Sequence, residues 1–157
     1  MLRIDRKISV RISYVFCVAA FIGILLLGIL LALGNTVFPD SLVTALFDAQ
    51  KQAGVMPYVF EYSVLLLVLF SDVCLMLLLN NVRQGAIFTD RSVTYLRIIS
   101  WASILAGVLN IPLFFMLHLI SVLCVSFVAL FLGIVLRVVK NVIEEGTVIK
   151  EENDSTI

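Results

Sequence analysis

Three long stretches of the chain run almost without formal charge. Residues 12–34 carry none over 23 positions, residues 62–82 carry only Asp72 over 21, and residues 98–136 carry none over 39, with His118 taken as neutral. A helix that crosses a hydrocarbon core about 30 Å thick needs roughly 20 apolar residues. The first two stretches have the length of single spans. The third would make a helix of about 58 Å, nearly twice the core, so it must fold back on itself. Asn110, Pro112 and His118 are its strong irregularities, and a tight turn is expected at 115–120. The pattern predicts an all-α, integral membrane four-helix bundle as a single domain, residues 1–157. Its spans are placed at about 12–34, 60–81, 94–115 and 120–140.

Composition agrees with this pattern. Apolar residues make up 62% of the 157 and charged residues 14%, against roughly 45–50% and 25% in soluble domains. The mean hydropathy is +1.14. A soluble core of this size cannot hide so much apolar surface, which excludes an ordinary soluble enzyme or a disordered regulator. Eleven basic residues balance eleven acidic ones, so no bulk positive charge points to direct contact with nucleic acid. The first apolar stretch follows a basic start, as a signal peptide would. It is longer than the usual 7–15-residue signal core, so a retained helix is expected.

Only the placement of charge is informative. Residues 1–11 hold Arg3, Arg6, Lys7 and Arg11; residues 83–97 hold Arg83, Arg91 and Arg97; the tail from 137 holds Arg137, Lys140 and Lys150. The first connection, 35–59, holds Lys51 alone. The excess of Lys and Arg on short cytoplasmic loops then puts both termini and the middle loop in the cytoplasm. The expected location is the bacterial plasma membrane, crossed four times.

The connections have their own signals. In the outer one, Leu42, Val43, Leu46 and Phe47 recur at helical spacing after Pro39-Asp40-Ser41 and before Gly54. This predicts a short amphipathic helix over 41–53, lying on the membrane surface or capping the bundle. In the middle loop, Gly85 can supply a left-handed turn at the end of the second helix. Thr89 can cap the third helix, with Asp90 in its first turn and Phe88 and Val93 as a hydrophobic staple. Beyond residue 140, apolar and charged positions alternate at helical spacing, so the fourth helix is expected to extend into the cytoplasm over 141–157 and to bend near Gly146. Lys140 and Glu144 stand one turn apart. The terminal acids Glu151, Glu152 and Asp154 lie on the same side of the membrane as Arg83, Arg91 and Arg97. They read either as an internal electrostatic clasp or, with Phe88, as a docking surface for a cytoplasmic partner.

Within the bilayer Asp72 falls near the midplane, where an acid is either functional or neutral and hydrogen-bonded. Asn110 and Ser126 lie at comparable depth, so a polar cluster of Asp72 with Asn110 or Ser126 is expected. Ala19/Gly23, Gly28/Ala32, Ser103/Gly107 and Ala129/Gly133 are small residues four apart that let helices approach closely. Trp101 and Tyr95 suit the aromatic belt. Cys17, Cys74 and Cys124 stand in apolar runs with no partner motif, which reads as packing. His118 has no second ligand near it in sequence. With one aspartate and one distant histidine in the spans, no catalytic set, metal site or cofactor site is expected.

Two stretches carry a resemblance. Residues 79–101, LNNVRQGAIFTDRSVTYLRIISW, and 136–157, LRVVKNVIEEGTVIKEENDSTI, resemble the bacterial membrane family of domain of unknown function 2975 (YoaS-like). Asn81, Gly85, Phe88, Leu96, Arg97 and Ile99 match its N-I-x-x-G-x-x-F and L-R-x-I corner. Glu151, Glu152, Asn153, Asp154, Thr156 and Ile157 match its terminal E-E-N-D-x-T-I. Gly146 stands where alanine is common, and Ser155 where an apolar residue is frequent. The resemblance covers essentially the whole chain and implies four helices, in a family with no established enzymatic activity. It also implies a cytoplasmic helix-turn-helix transcription regulator as partner, since members are often encoded beside one. The reading is a non-enzymatic regulatory or interaction protein, for which a homo-oligomer is compatible. Its alternatives are a small ion- or proton-coupled transporter centred on Asp72, or an immunity factor against a membrane-active peptide.

Overall fold

A computed structural model describes residues 6–37, 54–85 and 87–155. They form four helices: α1 Arg6–Val37, α2 Met56–Arg83, α3 Asp90–Leu117 and α4 Ile120–Ser155. Among the described residues there is no strand. The amphipathic helix expected over 41–53 lies outside the described residues. All four helices are long and apolar enough to cross a membrane. At 1.5 Å per residue, α2 and α3 measure about 42 Å each, α1 about 48 Å and α4 about 54 Å. The chain is therefore a multi-pass membrane protein.

Its solvent logic is inverted relative to a soluble domain. Large apolar side chains point outward along α1, α2 and α4, among them Phe16, Leu66 and Phe127. Several of the buried positions are polar: Asp72, Ser92, Ser100, Asn110, Ser126 and Thr147. Lipid tails are as apolar as leucine, so nothing drives those side chains inward, and close packing and hydrogen bonds hold the helices together instead.

Substantial packing runs between chain neighbours, α1 on α2, α2 on α3 and α3 on α4. The array is thus open between α1 and α4. The third helix is its centre and supplies most of the buried apolar side chains, including Val93, Leu96, Ile99, Ala106 and Leu113. The tightest contact is α3 with α4. Ser100 Oγ donates to the Gly133 carbonyl at 2.8 Å, and Ser126 Oγ donates to the Gly107 carbonyl at 2.6 Å. Serine precedes glycine by seven residues on each helix, so one antiparallel register makes both bonds. The glycines permit it. A Cβ on Gly133 would meet Ile104 Cγ1 at 2.6 Å, and one on Gly107 would meet Leu130 Cγ at 2.7 Å.

Local chemistry sets the connections. After α2, the Gln84 and Gly85 amides bond back to Asn80 and Val82, and Gly85 takes φ +82°, a conformation that side chains with a Cβ resist. Thr89 is the extended N-cap of α3 and accepts from the Ser92 amide at 3.4 Å, with Asp90 beside the positive helix end. Between α3 and α4 the turn is shorter. His118 caps α3 with φ +53°, its amide bonded to the Phe114 carbonyl. Histidine is among the residues enriched in this left-handed region.

Candidate functional site

The corner at 84–89 and the length of α4 that runs past it form one connected surface. The helix does not end at Gly146. It runs without a break from Ile120 to Ser155. Across the gap the Phe88 ring covers Gly146, where a Cβ would meet Phe88 Cε1 at 2.5 Å. Phe88, half exposed, thus bridges the corner to α4 rather than only stapling α3. In Gly146→Ala, about 1 kcal/mol of helix propensity is gained while the ring must move aside. The expected result is a nearly unchanged melting temperature with faster amide exchange at 84–89. Unchanged exchange there would show that Phe88 does not hold the corner.

One turn before Gly146 sits the ionic part of the same surface. Arg97 Nη2 reaches Glu144 Oε1 at 3.1 Å, and Lys140 pairs with the other oxygen from one turn below. The clasp expected from the terminal acids is therefore made by Glu144. Glu151 and Glu152 are exposed, as are Arg83 and Arg91. The side chain of Asp154 lies outside the described residues. Glu144's carboxyl is held below the ordinary glutamate value, first by the hydrogen bond from Lys140 and then by the charges of Lys140 and Arg97. A depressed acid stabilises the fold above its unfolded value and loses that contribution as pH falls through the folded one. The melting temperatures of the parent and Glu144→Gln are thus expected to differ at pH 7 and to converge in acid. A gap that persists at pH 3 would contradict the pairing.

Beside this clasp, toward the apolar part of the helices, the Arg137 guanidinium lies 4.6 Å from the centre of the Trp101 ring, a cation–π distance. Arg137 forms no ion pair among the described residues. Together with Arg97, Ser100 and Lys140 these two side chains line a cavity of about 70 Å³.

The polar residues of the spans are not gathered as expected. Ser126 gives its hydroxyl to the Gly107 carbonyl. Asn110, though buried, lines an apolar groove of about 330 Å³ that opens between the helices and also includes Glu61 and Ser121. Asp72 does not line that groove. It is buried on α2. Its Oδ2 atom has no hydrogen-bond partner among the described residues. No hydrogen bond joins Asp72 to Asn110 or Ser126, because a backbone carbonyl one helix away already satisfies the serine. Glu61, on the groove wall, gives no signal of this in the sequence, where it stands just before the run 62–82 and reads as the polar edge of a span.

Cys17, Cys74 and Cys124 are all free thiols. Among the described residues no three His, Cys, Asp or Glu side chains stand together as a metal site would need.

Residues 44–157 match a family described as "Protein of unknown function (DUF2975)". No curated protein and no solved structure matches the chain.

Proposed function

We propose that this chain, which belongs to the DUF2975 family over residues 44–157, is a non-enzymatic membrane platform that holds a cytoplasmic protein partner against the inner face of a bacterial plasma membrane. The observation that carries this reading is the projection of α4. At about 54 Å it outruns a hydrocarbon core of about 30 Å. The excess is braced on the corner through Arg97–Glu144 and Phe88. On this braced length Val142, Val148 and Ile149 are exposed beside Glu145, Lys150 and Glu151. Apolar residues above the membrane, framed by charge and on a rigid helix, are what a protein partner's groove can engage. The charge bias, ten Lys and Arg against one, assigns this end to the cytoplasm.

The family resemblance supports the partner class, a helix-turn-helix transcription regulator of the kind that members are often encoded beside. The test is co-expression with that regulator and measurement of how much sediments with membranes. The full chain is expected to retain it, and Val142→Asp combined with Ile149→Asp to release it while the membrane protein stays folded. Equal retention by the double variant would overturn the reading.

The orphan oxygen of Asp72 favours a second reading, an ion- or proton-coupled transporter. Its signature is flux through reconstituted vesicles that disappears in Asp72→Asn.

A further inference from the structure

The cavity between α3 and α4 lies at a particular depth. Arg97 and Arg137 are the first charges met on leaving the uncharged run 98–136 from either end, and the antiparallel register sets them on the same level. Trp101 stands one turn inside Arg97 with about half of its surface exposed, the position of a belt aromatic at the edge of the hydrocarbon. The pocket therefore opens where lipid headgroups lie. Three cations converge on it. Among the described residues the carboxylate that touches them, Glu144, is shared between Arg97 and Lys140, which leaves positive charge in excess. Lys140 is largely covered, its side chain only 13% exposed. Arg137 has no acidic partner among the described residues, and its guanidinium carbon lies over the indole ring, 4.6 Å from its centre. A guanidinium held by such a cation–π contact still has N–H groups to offer a tetrahedral oxyanion. The space of about 70 Å³ admits a group several waters in size.

We propose that Arg97, Arg137, Lys140, Ser100 and Trp101 form a binding site for a phosphate group, supplied by the headgroup of an anionic membrane lipid. The shared chemistry is a phosphate oxyanion received by two guanidiniums and an ammonium. Headgroup-level placement favours the lipid over phosphate from the cytosol, because basic pockets between transmembrane helices at the cytoplasmic side capture anionic headgroups. The proposal does not depend on a protein partner.

Trp101 is the only tryptophan in the chain, so its emission reports on this pocket alone. The full chain in an uncharged detergent is titrated with phosphatidylglycerol, phosphatidylcholine and inorganic phosphate in turn. A saturable change with phosphatidylglycerol, absent with phosphatidylcholine, is expected. In Arg137→Gln the midpoint is expected to move about five- to tenfold higher. Arg83→Gln, which loses the same charge at the same end, leaves it in place. The midpoint, not the amplitude, is read, since Arg137→Gln also alters the indole's own surroundings. Should Arg137→Gln not fold, Lys140→Gln serves in its place, with native mass spectrometry counting retained phosphatidylglycerol. Inorganic phosphate that saturates the signal and blocks phosphatidylglycerol supports the site and assigns its source to solution. An equal response to phosphatidylcholine, or a phosphatidylglycerol midpoint unmoved by Arg137→Gln or its replacement, overturns the proposal.

Discussion

Gly133→Leu is expected to leave little folded protein in the membrane, and Gly133→Ala to cost about 1–3 kcal/mol. The smaller change already places a Cβ 2.6 Å from Ile104 Cγ1 and 3.1 Å from both the Ile104 amide nitrogen and the Ser100 carbonyl oxygen. A side-chain end can swing away, but the two backbone atoms cannot move without α3 moving. Separation of the helices would also break the Ser100 bond to the Gly133 carbonyl and, through the common register, the Ser126 bond to Gly107. Such bonds contribute about 0.6 kcal/mol each on average in a membrane protein, so the steric term dominates. Gly23→Ala provides the internal control. Among the described residues nothing beyond its own turn of helix lies within 4 Å of a Cβ there, and the gain in helix propensity predicts a neutral or slightly stabilising change, at most about 1 kcal/mol. Unfolding in mixed micelles, followed by circular dichroism, measures all three variants. If Gly133→Ala behaves like Gly23→Ala, the close α3–α4 approach is refuted.

That contrast also marks what could be read from residue order. Both glycines belong to small-residue pairs four apart, Ala19/Gly23 and Ala129/Gly133, and the pairs look alike. The difference arises from which face of each helix meets another helix. Periodicity reveals that face in water, where exposed positions are polar. In lipid, the packed and exposed faces of α1, α2 and α4 are equally apolar. Span lengths, by contrast, follow from bilayer thickness, so four helices and a turn before residue 120 were legible. The corner was legible too, because Gly85 and Thr89 act through bonds to their own neighbours. Contacts made across the fold were not. Arg97 and Glu144 are 47 residues apart, and nothing local in either indicates the other. Ser126 was recognised as a buried polar group, but its acceptor is a backbone carbonyl, which every residue carries and no motif announces. Ser100, its counterpart, carries no signal in the sequence for the same reason.

Asp72 gives the second large effect, and its sign is opposite to the first. Asp72→Leu is expected to raise stability by about 1–3 kcal/mol, the penalty of holding a polar atom buried and unpaired. Only 8% of Asp72 is exposed, and Oδ2 meets no donor among the described residues. A fastener between helices would behave otherwise. Removal of one half of a hydrogen bond strands the other half, so loss of the acid would lower stability, and the amide in Asp72→Asn would recover most of it. With no partner to strand, Asp72→Asn instead keeps a polar group in the same apolar place and should unfold close to the parent. Unfolding of the three proteins in the same micelles separates the cases: Leu above Asn and parent supports an orphan acid, and Leu below both supports a fastener. An acid kept at the middle of a span at the expense of stability requires a reason outside packing. For that reason the flux measurement on Asp72→Asn belongs with the stability series: a variant as stable as the parent but without flux would place the chemistry on the carboxyl, unchanged flux would take the carboxyl out of any transport, and a parent without flux would leave the braced end of α4 as the working part.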